Sequence, residues 1–272
     1  MSIDIVQYLK ILRIKDWLHL LGLPILGYFY NIIPFNFNEI FFVIVISFLF
    51  LAYGFSLNKC ANFYRKRKTH IFYKSLLVAL AFLLPTLFLA YSISFPAFFI
   101  IAVNSFIGFV YSFPPSILKR FPIIVTILNG IGFGLLFSFG YLSNKPIDSA
   151  FFYMSSFVGF IFLPVQLVHE IADKTEDRRL GFKSTVMLLD KTTIRYLATL
   201  LFALVALFAL YINTQISISP LFFASSAAFG LASAFYFWIS FDKRDIRTIR
   251  ITLRYFGIIY GLMLVLVFTN VV

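Results

Sequence analysis

Apolar runs, each close to the ~20 residues that carry a helix across a hydrocarbon core, succeed one another along the whole chain. They lie near residues 17–34, 39–58, 72–92, 95–113, 121–143, 150–168, 193–213, 219–241 and 252–272. In lipid every backbone N–H and C=O must find a partner within the protein, and a helix supplies all of its own. The expected fold is therefore an all-α polytopic membrane protein of nine transmembrane helices, with residues 1–272 forming a single domain. Composition agrees, since 61% of residues are hydrophobic and only 12% charged, with a mean hydropathy of +0.94. A soluble domain carries about a quarter charged residues. A water-soluble globule, a disordered tail and a disulfide scaffold are excluded, and the lone Cys60 has no internal partner to bridge. The stretch from Ile3 to Trp17 is amphipathic and charged, as expected of an interfacial helix leading into the first span rather than a cleavable signal.

The net charge of +12 is explained by where the cations stand. Of 23 Lys and Arg residues, 22 fall at the N-terminus or in the loops after spans two, four, six and eight, and only Lys145 lies on the other side. The positive-inside rule places that side in the cytoplasm, with the C-terminus outside, as an odd number of spans requires. The surplus charge thus reads as topology and attraction to anionic lipid, not as nucleic-acid binding.

Acidic residues are scarce, so their grouping is informative. Five of the eleven fall between Glu170 and Asp190, directly after span six. Glu170, Asp173 and Asp177 are spaced i, i+3 and i+7, one face of a helix. Such a face is either a solvated helix end or a site for a hard divalent cation, Mg²⁺ above all, that shares its other positions with phosphate oxygens. Lys174, Arg178, Arg179 and Lys183 stand beside the acids, followed by Gly181, Ser184 and Thr185. Carboxylates for a metal next to cations for phosphate suit a diphosphate ester, although the same cations also neutralise the acids. After span two, Asn58, Asn62 and Lys66 share a helix face at i, i+4 and i+8. Asparagine at the end of an apolar span needs a partner. Asn104 and Asn129 read as interhelical hydrogen-bonding residues near a Gly130-to-Gly134 small-xxx-small contact.

Three separated pieces, in order along nine spans, together resemble the UbiA superfamily of intramembrane prenyltransferases. Glu170-Ile171-Ala172-Asp173-Lys174-Thr175-Glu176-Asp177 is similar to that family's second aspartate-rich motif, D-x-x-D-x-x-x-D, with Glu in the first place. Tyr111-Ser112-Phe113-Pro114-Pro115, continuing to Leu118-Lys119, resembles its Y-S-x-P-P-x-x-x-L-K turn, one residue shorter. Leu12-Arg13-Ile14-Lys15-Asp16-Trp17 resembles the lead-in to its first helix, where an arginine faces the diphosphate. The first aspartate-rich motif, N-D-x-x-D-x-x-x-D, falls on Asn58 to Lys66, where the opening Asn is kept but the aspartate positions hold Lys59, Asn62 and Lys66.

The resemblance implies transfer of an isoprenoid chain from a prenyl diphosphate to a lipophilic acceptor at the cytoplasmic face of a cell membrane. It implies Glu170, Asp173 and Asp177 as ligands for Mg²⁺, with Asp173 and Asp177 essential to the reaction. Arg13, Asn58, Asn62, Lys66, Lys119, Arg178 and Lys183 are the expected diphosphate contacts. One ion is expected rather than two: a unit cation about 4 Å from a dication, at an effective dielectric near 20, costs on the order of 8 kcal/mol, so a charged Lys66 replaces the second metal. The alternative is a non-catalytic homologue that binds or carries a lipid diphosphate or serves as a partner subunit. An ordinary transporter fits less well, because the polar residues gather at one membrane face rather than the midplane.

Overall fold

The computed structural model describes residues 12, 14–30, 36–112, 121–179, 181–216 and 218–269, and the described residues form helices joined by short turns. The helices are α1 (Gly22–Phe29), α2 (Phe37–Arg65), α3 (Thr69–Ile93), α4 (Phe95–Ser112), α5 (Pro122–Leu142), α6 (Ser149–Arg179), α7 (Lys191–Gln215), α8 (Pro220–Ser240) and α9 (Ile246–Phe268). Eight of them, α2 to α9, are long and apolar enough to cross a membrane. They coincide with eight of the expected spans to within a few residues at most ends.

The first expected span, 17–34, takes a different form. A single helical turn, Ile14–Trp17, passes into a 3₁₀ turn, Leu18–Leu21, before α1 begins. Pro24 has no N–H to return to the carbonyl of Leu20, so a regular ladder cannot run through this point. The segment is anchored instead by Trp17, fully buried against Phe48 and Phe55 of α2, whose indole N–H donates to the Leu12 carbonyl at 2.6 Å. Further on, α1 lies directly against α5. A Cβ added to Gly140 would run into the Pro24 carbonyl, and one added to Gly27 into that of Phe137.

Small residues and amide hydrogen bonds join the helices elsewhere, as expected where lipid tails offer no hydrophobic drive for helix association. Gly130 and Gly134 of α5 meet Gly159 and the Ser155 carbonyl of α6, the anticipated small-xxx-small contact. The Asn104 side chain of α4 donates to the Gly132 carbonyl of α5 at 2.9 Å, the interhelical bond its position called for. Three apolar clusters fill the interior. One lies among α1 to α5, one mainly between α5 and α9, and a smaller one where the first parts of α7 and α9 meet the last parts of α6 and α8.

The decisive element is α6. Its apolar run ends near residue 168, yet the helix continues to Arg179 and carries the acidic residues on an unbroken framework. The chain then turns at Gly181 (φ 70°), in the left-handed region that favours glycine. It folds back as a one-turn helix, Thr185–Leu188.

Candidate active site

Glu170 is the acidic residue that the fold itself uses. It is 6% exposed, and both carboxylate oxygens are engaged. Oε1 accepts from the Thr126 hydroxyl at 2.5 Å and from the Gln166 side chain at 3.5 Å, while Oε2 accepts the backbone N–H of Thr185 at 2.7 Å. The Thr126 and Thr185 hydroxyls are themselves 2.8 Å apart. One carboxylate thus ties the end of α6 to the start of α5 and to the returning one-turn helix. Glu170 lines the same cleft as Asp173 and Asp177, but unlike them it has both oxygens bonded within the protein. Burial costs an ion dearly unless its hydrogen bonds are made, and Glu170 makes its bonds inside the protein. Among the described residues no three His, Cys, Asp or Glu side chains converge as a ready-made metal cage.

Beside this clamp lies a polar cleft of about 280 Å³. One wall is α6, with Asp173, Glu176 and Asp177. The facing wall is the last part of α2, with Asn58, Lys59 and Asn62. Tyr111 of α4 closes the inner side, its phenol in hydrogen-bond contact with the Asn129 side chain, and Lys183 stands on the returning segment. Residues more than a hundred positions apart, from four elements, thus meet at one end of the bundle.

The structure brings Asn58, Asn62, Asp173, Asp177 and Lys183 together, as the sequence reading expects. It does not bring Lys66 there. The helix ends at Arg65, and Lys66 is its exposed C-cap residue, outside the cleft lining although its N–H still donates to the Asn62 carbonyl at 3.1 Å. Lys59 takes that place in the cleft. Arg178 is exposed and outside the cleft lining, one position past Asp177 and pointed off its face. Arg13 and Lys119 lie outside the described residues.

Asp173 forms an ion pair with Arg250 of α9, Nη1 to Oδ1 3.2 Å, and Glu176 a longer one with Arg179 at 3.9 Å. Both are at least half exposed on the carboxylate side. Such pairs contribute at most about 1 kcal/mol and exchange readily for a stronger partner. Asp173 and Asp177, one turn apart on the same helix and lining one cavity, fit an ion that takes one or two protein carboxylates and fills its remaining positions with water and phosphate oxygens. That is the habit of Mg²⁺.

Lys59, Tyr111, Gln166, His169 and Arg250 belong to this region although spacing alone did not select them. Lys59 stands at an aspartate position of the first motif, and Tyr111 opens the Pro-Pro turn, so both had a signal. Gln166 and His169 precede Glu170 by four and one residues, the first inside and the second at the edge of what reads as plain span. Arg250 arrives from α9, 77 positions after its partner Asp173, and no local pattern announces it.

The chain matches the model of the UbiA prenyltransferase family over residues 72–259. No curated protein matches it. Among solved structures it is similar to a UbiA homologue from Archaeoglobus fulgidus bound to Cd²⁺, with TM-score 0.77 and 20% identity over 96% of this chain and 98% of that one. The same homologue bound to GPP and Mg²⁺ gives a TM-score of 0.74 at 19% identity over 95% and 99% of the two chains. A structure of digeranylgeranylglyceryl phosphate synthase gives 0.74 at 16% identity over 98% and 99%. At these identities the likeness speaks for the fold.

Proposed function

The chain belongs to the UbiA prenyltransferase family, and from that premise we propose that it transfers an isoprenoid chain from a prenyl diphosphate to a lipophilic acceptor within a cell membrane. The observation that carries this reading is the cleft in which Asp173 and Asp177 face Asn58, Lys59, Asn62 and Lys183 at one end of an apolar bundle. The donor has a highly anionic head and a hydrocarbon tail, and the protein offers matching surroundings for each within one molecule. The Archaeoglobus fulgidus homologue bound to GPP and Mg²⁺ supports the choice of donor and ion.

In this reading Asp173 and Asp177 hold a single Mg²⁺, which supplies positive charge to the phosphate oxygens. Lys59 and Lys183 bind the diphosphate directly, and the Asn58 and Asn62 amides donate to it. As the allylic C–O bond breaks, its electron pair leaves with the diphosphate, and negative charge grows where these donors already stand. The allylic carbon becomes electron-poor and bonds to the acceptor, which gives up a proton. Surrounding aromatic and aliphatic side chains exclude water that would otherwise trap the allylic fragment. Glu170 positions the machinery by fixing the last turns of α6 against Thr126 and Thr185. The cation-rich loops support a cytoplasmic position for this end of the bundle and the N-terminus.

The absence of carboxylates from Asn58 to Lys66 favours a second reading, a homologue that holds a lipid diphosphate without turning it over. One experiment separates the two. Purified protein with geranyl or geranylgeranyl diphosphate, Mg²⁺ and a panel of aromatic, glycerol phosphate and sugar phosphate acceptors should yield a prenylated product and free diphosphate. Tight donor binding with no product from any acceptor would favour the carrier.

A further inference from the structure

The turn between α2 and α3 concentrates positive charge that the protein does not neutralise with acids of its own. Arg65, Lys66, Arg67 and Lys68 follow one another, His70 and Lys74 come close behind, and no Asp or Glu occurs between Glu39 and Asp148. Other cations on this side of the bundle have carboxylates to hand. Lys191 and Arg195 share Asp242 at 2.7 and 2.8 Å, Arg250 pairs with Asp173, and Arg179 lies near Glu176. Among the described residues Lys66, Arg67, Lys68 and Lys74 enter no such pair, and the first three are exposed.

The backbone adds two features that work against an unpartnered cationic turn. Three hydrogen bonds close α2, from the N–H groups of Lys66, Arg67 and Lys68 to the carbonyls of Asn62, Tyr64 and Phe63 at 3.1, 3.0 and 3.0 Å. Such an ending puts one residue in the left-handed region, a place that glycine usually fills, and here Arg67 holds it at φ 54°. Helix α3 then starts from Lys68, whose side chain caps none of the first N–H groups, and no acid stands in its first turn. Cations in that place face the positive end of the helix dipole. One anion seated over the turn would relieve the mutual repulsion, complement the dipole and give the strained arginine a partner.

The surroundings say what kind of anion fits. Tyr64 and Tyr73 flank the turn, both exposed, and their rings are linked through Phe72 at centroid distances of 5.7 and 5.1 Å. Exposed tyrosines at the end of a span mark the membrane interface, where lipid phosphates lie. Beyond Tyr73, Leu77, Leu80, Leu84 and Phe88 continue at helical spacing as one exposed stripe of α3, the least buried of the eight spans. We propose that the α2–α3 turn binds an anionic membrane phospholipid, with its phosphate among Lys66, Arg67 and Lys68 and its acyl chains along the α3 stripe. None of these three cations lines the cleft, so the site is distinct from the one assigned to the diphosphate. It stands independently of the prenyl-transfer reading.

The test is lipid binding to the full chain in neutral detergent, read by native mass spectrometry. The probes are dioleoyl phosphatidylglycerol, dioleoyl phosphatidylcholine and glycerol phosphate without acyl chains. Phosphatidylglycerol should bind about tenfold or more tightly than phosphatidylcholine, as charge-assisted contacts predict. The triple variant Lys66→Gln, Arg67→Gln, Lys68→Gln should lose that preference. A second triple variant, Lys243→Gln, Arg244→Gln, Arg247→Gln, removes the same charge from the turn between α8 and α9 and should keep it. Arg67→Gly suits the left-handed backbone and so preserves the turn, yet it should weaken phosphatidylglycerol binding about threefold or more. Equal affinity for the two phospholipids in the natural sequence would overturn the proposal. So would an equal or greater loss in the second triple variant, because the preference would then follow total charge rather than this turn. Unchanged phosphatidylglycerol affinity in Arg67→Gly would overturn it as well. Glycerol phosphate competing as well as the whole lipid would do the same, since the turn would then take a soluble phosphate.

Discussion

At the residue scale, what matters is which side chains the cleft holds and which it leaves out. Lys59 and Lys66 occupy two aspartate positions of one motif, but only Lys59 lines the cleft. Lys59→Met should weaken Mg²⁺-dependent binding of a prenyl diphosphate analogue about tenfold, while Lys66→Met changes it less than about twofold. Calorimetry on both purified variants checks the pair, and the opposite ranking would restore Lys66 to the site. A different lysine reports on stability. Lys145, in the turn between α5 and α6, lies over the rings of Tyr30 and Tyr141 and near Asp148, and burial lowers its pKa to about 8 against the attraction of Asp148. The folded pKa lies below the unfolded one, so the unfolded chain binds more protons between them. The penalty for burying the charge is therefore complete below about pH 8 and fades as pH rises toward the unfolded value near 10.5. Lys145→Met should raise the melting temperature at neutral pH, with the gain shrinking steadily on the way to about pH 10. A gain independent of pH would contradict it.

At the element scale, the sequence announces helices better than it announces their ends. Eight spans are legible from apolar length alone, because a helix that satisfies its own backbone is the answer lipid imposes. The ends depend on particular residues. The apolar span ends near residue 168 and the spacing of Glu170, Asp173 and Asp177 already reads as a helix face, as α6 to Arg179 shows, but the burial and hydrogen bonds of Glu170 are not legible in that spacing. The reading extends the α2 face to Lys66, but the helix ends at Arg65 and Lys66 is an exposed cap residue outside the cleft. The first span is broken at the 3₁₀ turn Leu18–Leu21, just ahead of Pro24, within a largely apolar run. Glycines likewise divide by what they face, which sequence does not reveal. Gly140→Ala should destabilise the protein by about 1–3 kcal/mol by forcing α1 and α5 apart. Gly257→Ala, facing open space, should be neutral or stabilising by up to about 1 kcal/mol. Thermal unfolding in detergent distinguishes them, and equal effects would remove the assignment of Gly140 to the α1–α5 contact.

At the scale of the whole molecule, the account has cationic loops, polar cleft and donor headgroup all at the cytoplasmic end. Cys60 is the only cysteine and is buried, so single cysteines elsewhere label against a quiet background. A cysteine at the exposed Ser149 should react with a membrane-impermeant maleimide from outside intact cells, and one at the exposed Lys243 only after permeabilisation; the reverse would invert the topology. The candidate site was only partly legible because it is assembled from distant segments. Asp173 and Asp177 stood out by spacing, and Asn58 and Asn62 by the cost of amides in an apolar helix. Arg250 and the Thr126–Glu170–Thr185 network exist only once α5, α6 and α9 have packed. The central claim is that Asp173 and Asp177 bind a prenyl diphosphate through one Mg²⁺. It is tested most directly by titrating Mg²⁺ into protein saturated with geranyl thiodiphosphate, for the natural chain and for Asp173→Asn and Asp177→Asn. The account predicts one ion per chain and metal-dependent donor affinity that falls about a hundredfold in either variant; unchanged stoichiometry and affinity in both would contradict it.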